Sequence, residues 1–137
     1  MIESRRDGTK SMRDVISTSG APKAIGPYSQ AIRANGFVFV SGQVAIDPET
    51  QYVIGGDAAA QTDRVIKNLA AILKVAGSGL EKVVRSTVFL KSMGDFVAMN
   101  EVYGRYFSQA PPARSTVEVS RLPKDVLVEI DVIALAE

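Results

Sequence analysis

The sequence has 137 residues, with 16 basic and 15 acidic side chains, and it contains no histidine and no cysteine. A chain of this length forms one domain that buries roughly two-thirds of its unfolded surface; 46% hydrophobic and 23% charged residues match an ordinary globular protein and exclude a disordered or membrane-spanning one. A net charge of +1 gives no electrostatic footprint for nucleic acid, and without His or Cys there is no ordinary general base, thiol nucleophile or transition-metal ligand set.

Chemistry is left to carboxylates, arginine, hydroxyls, backbone and water. The absence of cysteine also fits a reducing compartment, with the cytoplasm as the expected location.

The opening "MIESRRDGTKS" is polar and unpatterned. It is expected to be a disordered extension over residues 1 to 11, with a single domain over residues 12 to 137. The stretch lacks the apolar core of a secretory signal, and Glu3 and Asp7 argue against a transit peptide. An artificial leader or an over-called start codon ahead of Met12 is the expected explanation.

"QAIRA" and "FVFVSGQVAI" (37 to 46) flank the turn signal "ANG", which predicts a β-hairpin. From Asp57, a candidate N-cap, the apolar residues Ile66, Leu69, Leu73 and Ala76 recur at helical spacing until Gly77. "VVRSTVFL" (83 to 90) reads as a strand. "DFVAMNEVYGRYF" (95 to 107) reads as a second helix, ended by Pro111 and Pro112. "STVEV" and "VLVEIDVIAL" (126 to 135) close the chain as strands. The predicted class is α+β, with two helices on one face of a mixed sheet.

In the last strand, alternation separates Val128, Ile130, Val132 and Ala134 from Leu127, Glu129, Asp131, Ile133 and Leu135. Both faces are largely apolar, so the face without helices needs a partner, and a homo-oligomer is expected.

Few side chains in this pattern suit chemistry. Arg114 follows two prolines that stiffen its approach, and a guanidinium fork matches a carboxylate with two charge-assisted hydrogen bonds; an ion pair with Glu118 or Glu129 is the structural alternative. Glu129 lies mid-strand on an apolar stripe, where an unpaired carboxylate has a raised pKa and suits water activation, or else forms a salt bridge or subunit contact.

Asn100 falls within the second helix's apolar stripe, as a ligand contact or as a satisfied buried amide. The Gly26-Pro27 step presents Tyr28, and Ser41 with Gly42 mark a strand end that admits a ligand or else a bulge. No glycine pattern matches a phosphate loop or dinucleotide fingerprint, so no nucleotide cofactor is expected.

Together, "APKAIGPYSQA", "VSGQ", "MNEVYGRYF", "PPARSTVEVSRLPKD" and "VEIDVIALAE" closely resemble the RidA (YjgF) family of reactive-intermediate deaminases, from about Val15 to the C-terminus. The resemblance implies a chorismate-mutase-like fold and a homotrimer with sites in intersubunit clefts. It implies hydrolysis of enamine or imine intermediates such as 2-iminobutanoate and 2-iminopropanoate to 2-oxo acids and ammonia, with no cofactor and no metal. By the same resemblance Arg114 binds the carboxylate, Glu129 activates water, and Tyr28, Ser41, Gly42 and Asn100 line the pocket. Thr116 stands where many members have cysteine, which removes thiol-based regulation but keeps a hydroxyl for a ligand.

Two other readings compete. An endoribonuclease or translation inhibitor is disfavoured by the neutral charge and the missing histidine pair. A non-catalytic regulator that binds 2-oxo acids in the same cleft is separated from an enzyme only by an assay for ammonia release.

Overall fold

The computed structural model describes residues 12–136; the extension expected over residues 1 to 11 lies outside the described residues. Six strands and two α-helices run in the order β1 (Asp14–Ile16), β2 (Ala31–Ala34), β3 (Phe37–Gln43), α1 (Ala58–Val75), β4 (Val83–Leu90), α2 (Phe96–Tyr106), β5 (Ala113–Glu118) and β6 (Val128–Leu135). They form one mixed sheet of order β1-β2-β3-β6-β4-β5, in which β5 runs parallel to β4 and the other pairs are antiparallel. The α+β architecture is thus the one predicted.

Local chemistry sets the element boundaries. Asn35 and Gly36 both take positive φ, 51° and 82°, as a two-residue hairpin between β2 and β3 demands. Asp57 caps α1, its Oδ1 accepting the Ala60 N–H at 2.9 Å. Gly77, at φ 78°, ends the helix; its N–H bonds the Lys74 carbonyl, and the Ser78 N–H reaches back to that of Leu73 at 2.8 Å.

The helices cover one face of the sheet. Val65, Ile66, Leu69, Ile72 and Leu73 of α1 are fully buried with Val38, Val88, Leu90, Val128 and Ile130 of the strands. Each such side chain contributes about 1.5–3 kcal/mol relative to exposure.

The opposite face has no cover among the described residues, and Phe37, Phe39, Val84, Val117 and Leu135 remain exposed on it. Its centre is polar: Thr87 pairs with Asp131 on one side and Ser115 on the other.

Two features depart from expectation. β1 was not anticipated; its three residues are too few to show alternation. The strand expected to reach residue 46 ends at Gln43, and within it the register slips between Val40 and Gln43, so that Ser41 with Gly42 together oppose Asp131. Serine and glycine mark a bulge inside β3, not a strand end.

Candidate active site

Arg114 is the second residue of β5, and its face follows from register. In a parallel pair, directly opposed residues share a face, and Arg114 opposes the buried Ser86. Arg114 therefore points to the helix side. Its guanidinium carbon lies 4.7 Å from the Tyr103 ring centroid and 5.7 Å from that of Phe96.

The expected structural ion pair is not formed. Glu118 accepts the Met93 N–H at 2.8 Å, and Glu129 lies on the other face of the sheet. The Arg114 fork has no acidic partner among the described residues. It borders an open groove whose walls are Asn100, Tyr103, Gly104, Phe107, Pro111 and Pro112.

Asn100 is exposed, which corrects the reading of a buried amide. The buried residues of α2 are Met99, Val102 and Tyr103, so the core stripe passes beside Asn100 and leaves its amide on the groove wall near Arg114. Thr116 lies two residues beyond Arg114, on the same face. Its Oγ1 is buried and has no partner, an orphan of the kind native structures seldom tolerate without a ligand, water or neighbouring chain.

Glu129 is the second residue of β6, near the start of the strand and not mid-strand as expected; it stands opposite Phe89 and faces away from the helices. It is half-buried and makes no ion pair or hydrogen bond with another described residue. Burial pushes its carboxyl above the usual carboxylate range, and the charge of nearby Asp131 pushes further. Asp131 is also raised by burial, against the opposing effects of Thr87 hydrogen bonds and the Arg85 charge.

The Glu129 carboxylate is seated over Gly42. A Cβ at position 42 would overlap the carboxylate and lie 3.1 Å from Glu129 Cγ. What approaches this glycine closely is a side chain of the same protein.

Ser41 donates its hydroxyl to the Ser29 carbonyl at 2.6 Å, and its N–H to that of Gln30 at 2.9 Å. Gln30 in turn braces the preceding segment, its Nε2 donating to the carbonyls of Thr18 at 3.0 Å and Pro22 at 2.8 Å. Tyr28 follows a tight turn in which Gly26 has φ 118°, and its exposed ring shares a groove with Ser41, Ser29 and Phe39.

The seven predicted residues thus divide into two groups. Asn100, Arg114 and Thr116 lie on the helix side of one sheet edge; Glu129 and Gly42 lie on the uncovered side, flanked by Ser41 and Tyr28. β4 stands between β5 and β6, and a single chain does not bring Arg114 to Glu129. Phe96 and Tyr103 were legible only as core aromatics, and Asp131 only as part of the alternation; their places beside Arg114 and Glu129 needed the fold.

Known proteins share this chain's sequence and fold. The sequence model of the family described as Endoribonuclease L-PSP matches residues 18–136. A RutC family protein of Pyrococcus horikoshii is 56% identical over 126 residues, covering 92% of this chain and 100% of its own. Reactive Intermediate Deaminase A of Arabidopsis thaliana, a chloroplastic protein, is 44% identical, covering 89% of this chain and 65% of its own. The crystal structure of E. coli TdcF with bound serine superposes with a TM-score of 0.85 at 39% identity, covering 90% of this chain and 98% of that one.

Proposed function

The chain belongs to the RidA (YjgF) family, the one described as Endoribonuclease L-PSP, and from that premise we propose that it is a hydrolytic deaminase of reactive 2-imino acids, acting in the cytoplasm. The observation that carries the reading is the Arg114 fork without an acidic partner, beside a groove of mixed apolar and amide character. Such a fork is matched to a carboxylate. The bound serine of TdcF, an amino acid, is of the size and charge this reading requires.

The reaction uses two opposite charges that the chain keeps apart. Arg114 of one copy binds the substrate carboxylate; Glu129 of the next copy, above Gly42, takes a proton from water as the oxygen attacks the C=N carbon. Glu129 passes that proton to the imine nitrogen, which gives the carbinolamine, and then moves the carbinolamine's hydroxyl proton to the same nitrogen, so that the C–N bond breaks, ammonia leaves and the carbonyl of the 2-oxo acid forms. An enamine enters after protonation at its β-carbon gives the imine.

The raised pKa of Glu129 suits both halves of this transfer, because the group must first accept a proton and then return it. Imines are reactive, so orientation and one acid/base group are sufficient catalysis. Asn100, Thr116, Tyr28 and Ser41 complete the walls, and no metal or cofactor takes part in the reaction.

Assembly is part of the proposal. A homotrimer would cover the sheet face that bears Phe37, Phe39, Val84, Val117 and Leu135 and would align the two half-sites across each subunit boundary. Residues 12 to 137 are the functional unit, and removal of residues 1 to 11 is expected to leave activity intact.

The test is ammonia release from freshly generated 2-iminobutanoate or 2-iminopropanoate. Acceleration over the uncatalysed rate, abolished by Arg114→Ala, is the expected result. Binding of 2-oxobutanoate without acceleration would make the protein a 2-oxo-acid-binding regulator, and steeply salt-dependent RNA cleavage lost in Arg114→Ala would favour the endoribonuclease reading.

A further inference from the structure

Arg114 is held by rings instead of by an acid, and that choice has a chemical consequence. A carboxylate partner from the same chain would occupy the N–H edge that a ligand needs. An aromatic face attracts the cation while leaving its hydrogen-bonding edge free.

The ring nearer to Arg114 is itself indexed to the sheet. Tyr103 shares a buried hydrogen bond of 2.6 Å with Ser86, and Ser86 is the β4 residue directly opposed to Arg114 in β5. Ser86 and Tyr103 are 0% and 5% exposed, so each hydroxyl would be costly without the other, and an apolar pair would pack with no such requirement. Phe107 packs against the same ring, with centroids 4.5 Å apart.

We propose that Phe96 and Tyr103 are positioning residues for the carboxylate-binding fork, with Tyr103 fixed by Ser86, so that α2 sets where the substrate carboxylate is held. This rests on the reading of Arg114 as the carboxylate anchor. The contribution is specific to the charge: removing a ring face leaves the guanidinium present but free to rotate, which weakens acids and spares neutral analogues. Tyr103, the closer and more buried ring, contributes more than Phe96.

The experiment titrates the full chain with 2-oxobutanoate and with its neutral methyl ester, following binding calorimetrically and Tm in parallel. Tyr103→Leu is expected to weaken binding of the acid about 5- to 30-fold, the range of a cation–π contact, with the ester unchanged. Phe96→Leu should show the same selectivity with a smaller loss, and Tyr103→Phe, which keeps a ring face, should retain most of the acid affinity even where Tm falls.

Acid and ester weakening together with Tm would overturn the proposal, as would native acid affinity in Tyr103→Leu. If Tyr103→Leu does not fold, Phe96→Leu decides on the same criterion, since Phe96 is only half-buried. Wild-type protein that does not bind 2-oxobutanoate, or Arg114→Ala that binds it normally, would instead refute the anchor reading and the platform with it. That failure appears before any ring variant is compared.

Discussion

Replacing Gly42 with alanine adds one methyl group at a place where its effect can be worked out. The glycine lies in the β3 bulge and its φ is outside the left-handed region, so alanine meets no backbone strain there. The added Cβ would overlap the Glu129 carboxylate and press on Cγ at 3.1 Å, so the side chain must turn away. Rotating it off its preferred torsion costs about 0.5–1.5 kcal/mol, and the loss of chain freedom on replacing glycine offsets about 0.4–1 kcal/mol of that.

Stability should therefore change little. Turnover should not be spared, because on the proposed mechanism a displaced Glu129 would no longer reach the water. A positioned proton acceptor contributes ~10² to 10⁴-fold, or about 2.7–5.4 kcal/mol of barrier.

The assay is ammonia release from 2-iminobutanoate, measured with Tm and with 2-oxobutanoate affinity, which the proposed function assigns chiefly to Arg114. The expected pattern is native Tm, near-native affinity and turnover lowered by at least about 10²-fold. Near-native turnover in Gly42→Ala would refute the claim that the carboxylate must sit over Gly42.

Three further outcomes follow from the same geometry. Glu129→Gln should keep 2-oxo acid binding while turnover falls ~10² to 10⁴-fold. It should also raise Tm at neutral pH: a carboxyl with a raised folded pKa stabilises below its ordinary value of 4.5 and loses that contribution as pH rises through the folded value, so the gap between variant and wild type should close toward acid. A Tm difference independent of pH would contradict this, and the wild-type rate should itself decline as pH falls through the raised value. Arg114→Lys keeps a charge but not the fork, and kcat/KM should fall roughly 10- to 100-fold with little change in Tm; a near-native value would mean that charge alone suffices. Phe39→Asp, on the exposed sheet face, should give a folded monomer without activity by light scattering, whereas an intact trimer would remove that face from the interface.

How far these features were legible in the sequence depended on whether they were local. Asp57, Gly77 and the Asn35–Gly36 turn are local signals with fixed backbone consequences, and their elements formed where expected. Glu129 was legible because alternation in a strand is strict: a carboxylate on an apolar stripe stands out before any partner is known.

The face of Arg114 was not legible in this way. β5 is an edge strand with weak alternation, and its orientation follows only from the pairing of Arg114 with Ser86, which depends on strand order. Helical spacing placed Asn100 one turn beyond Phe96, but Phe96 is itself half-buried at the stripe's margin, and the error carried over to the asparagine. The separation of Arg114 from Glu129 within one chain belongs to the same class of long-range fact.

That separation gives the most direct test of the account. Arg114→Ala and Glu129→Gln, each inactive alone, are co-expressed with different tags and the mixed oligomers purified. If every site takes its arginine from one copy and its glutamate from the next, each mixed trimer holds both groups at one of its three boundaries, and imine hydrolysis returns to about one third of wild type. Mixed oligomers no more active than either parent would contradict a site shared between subunits.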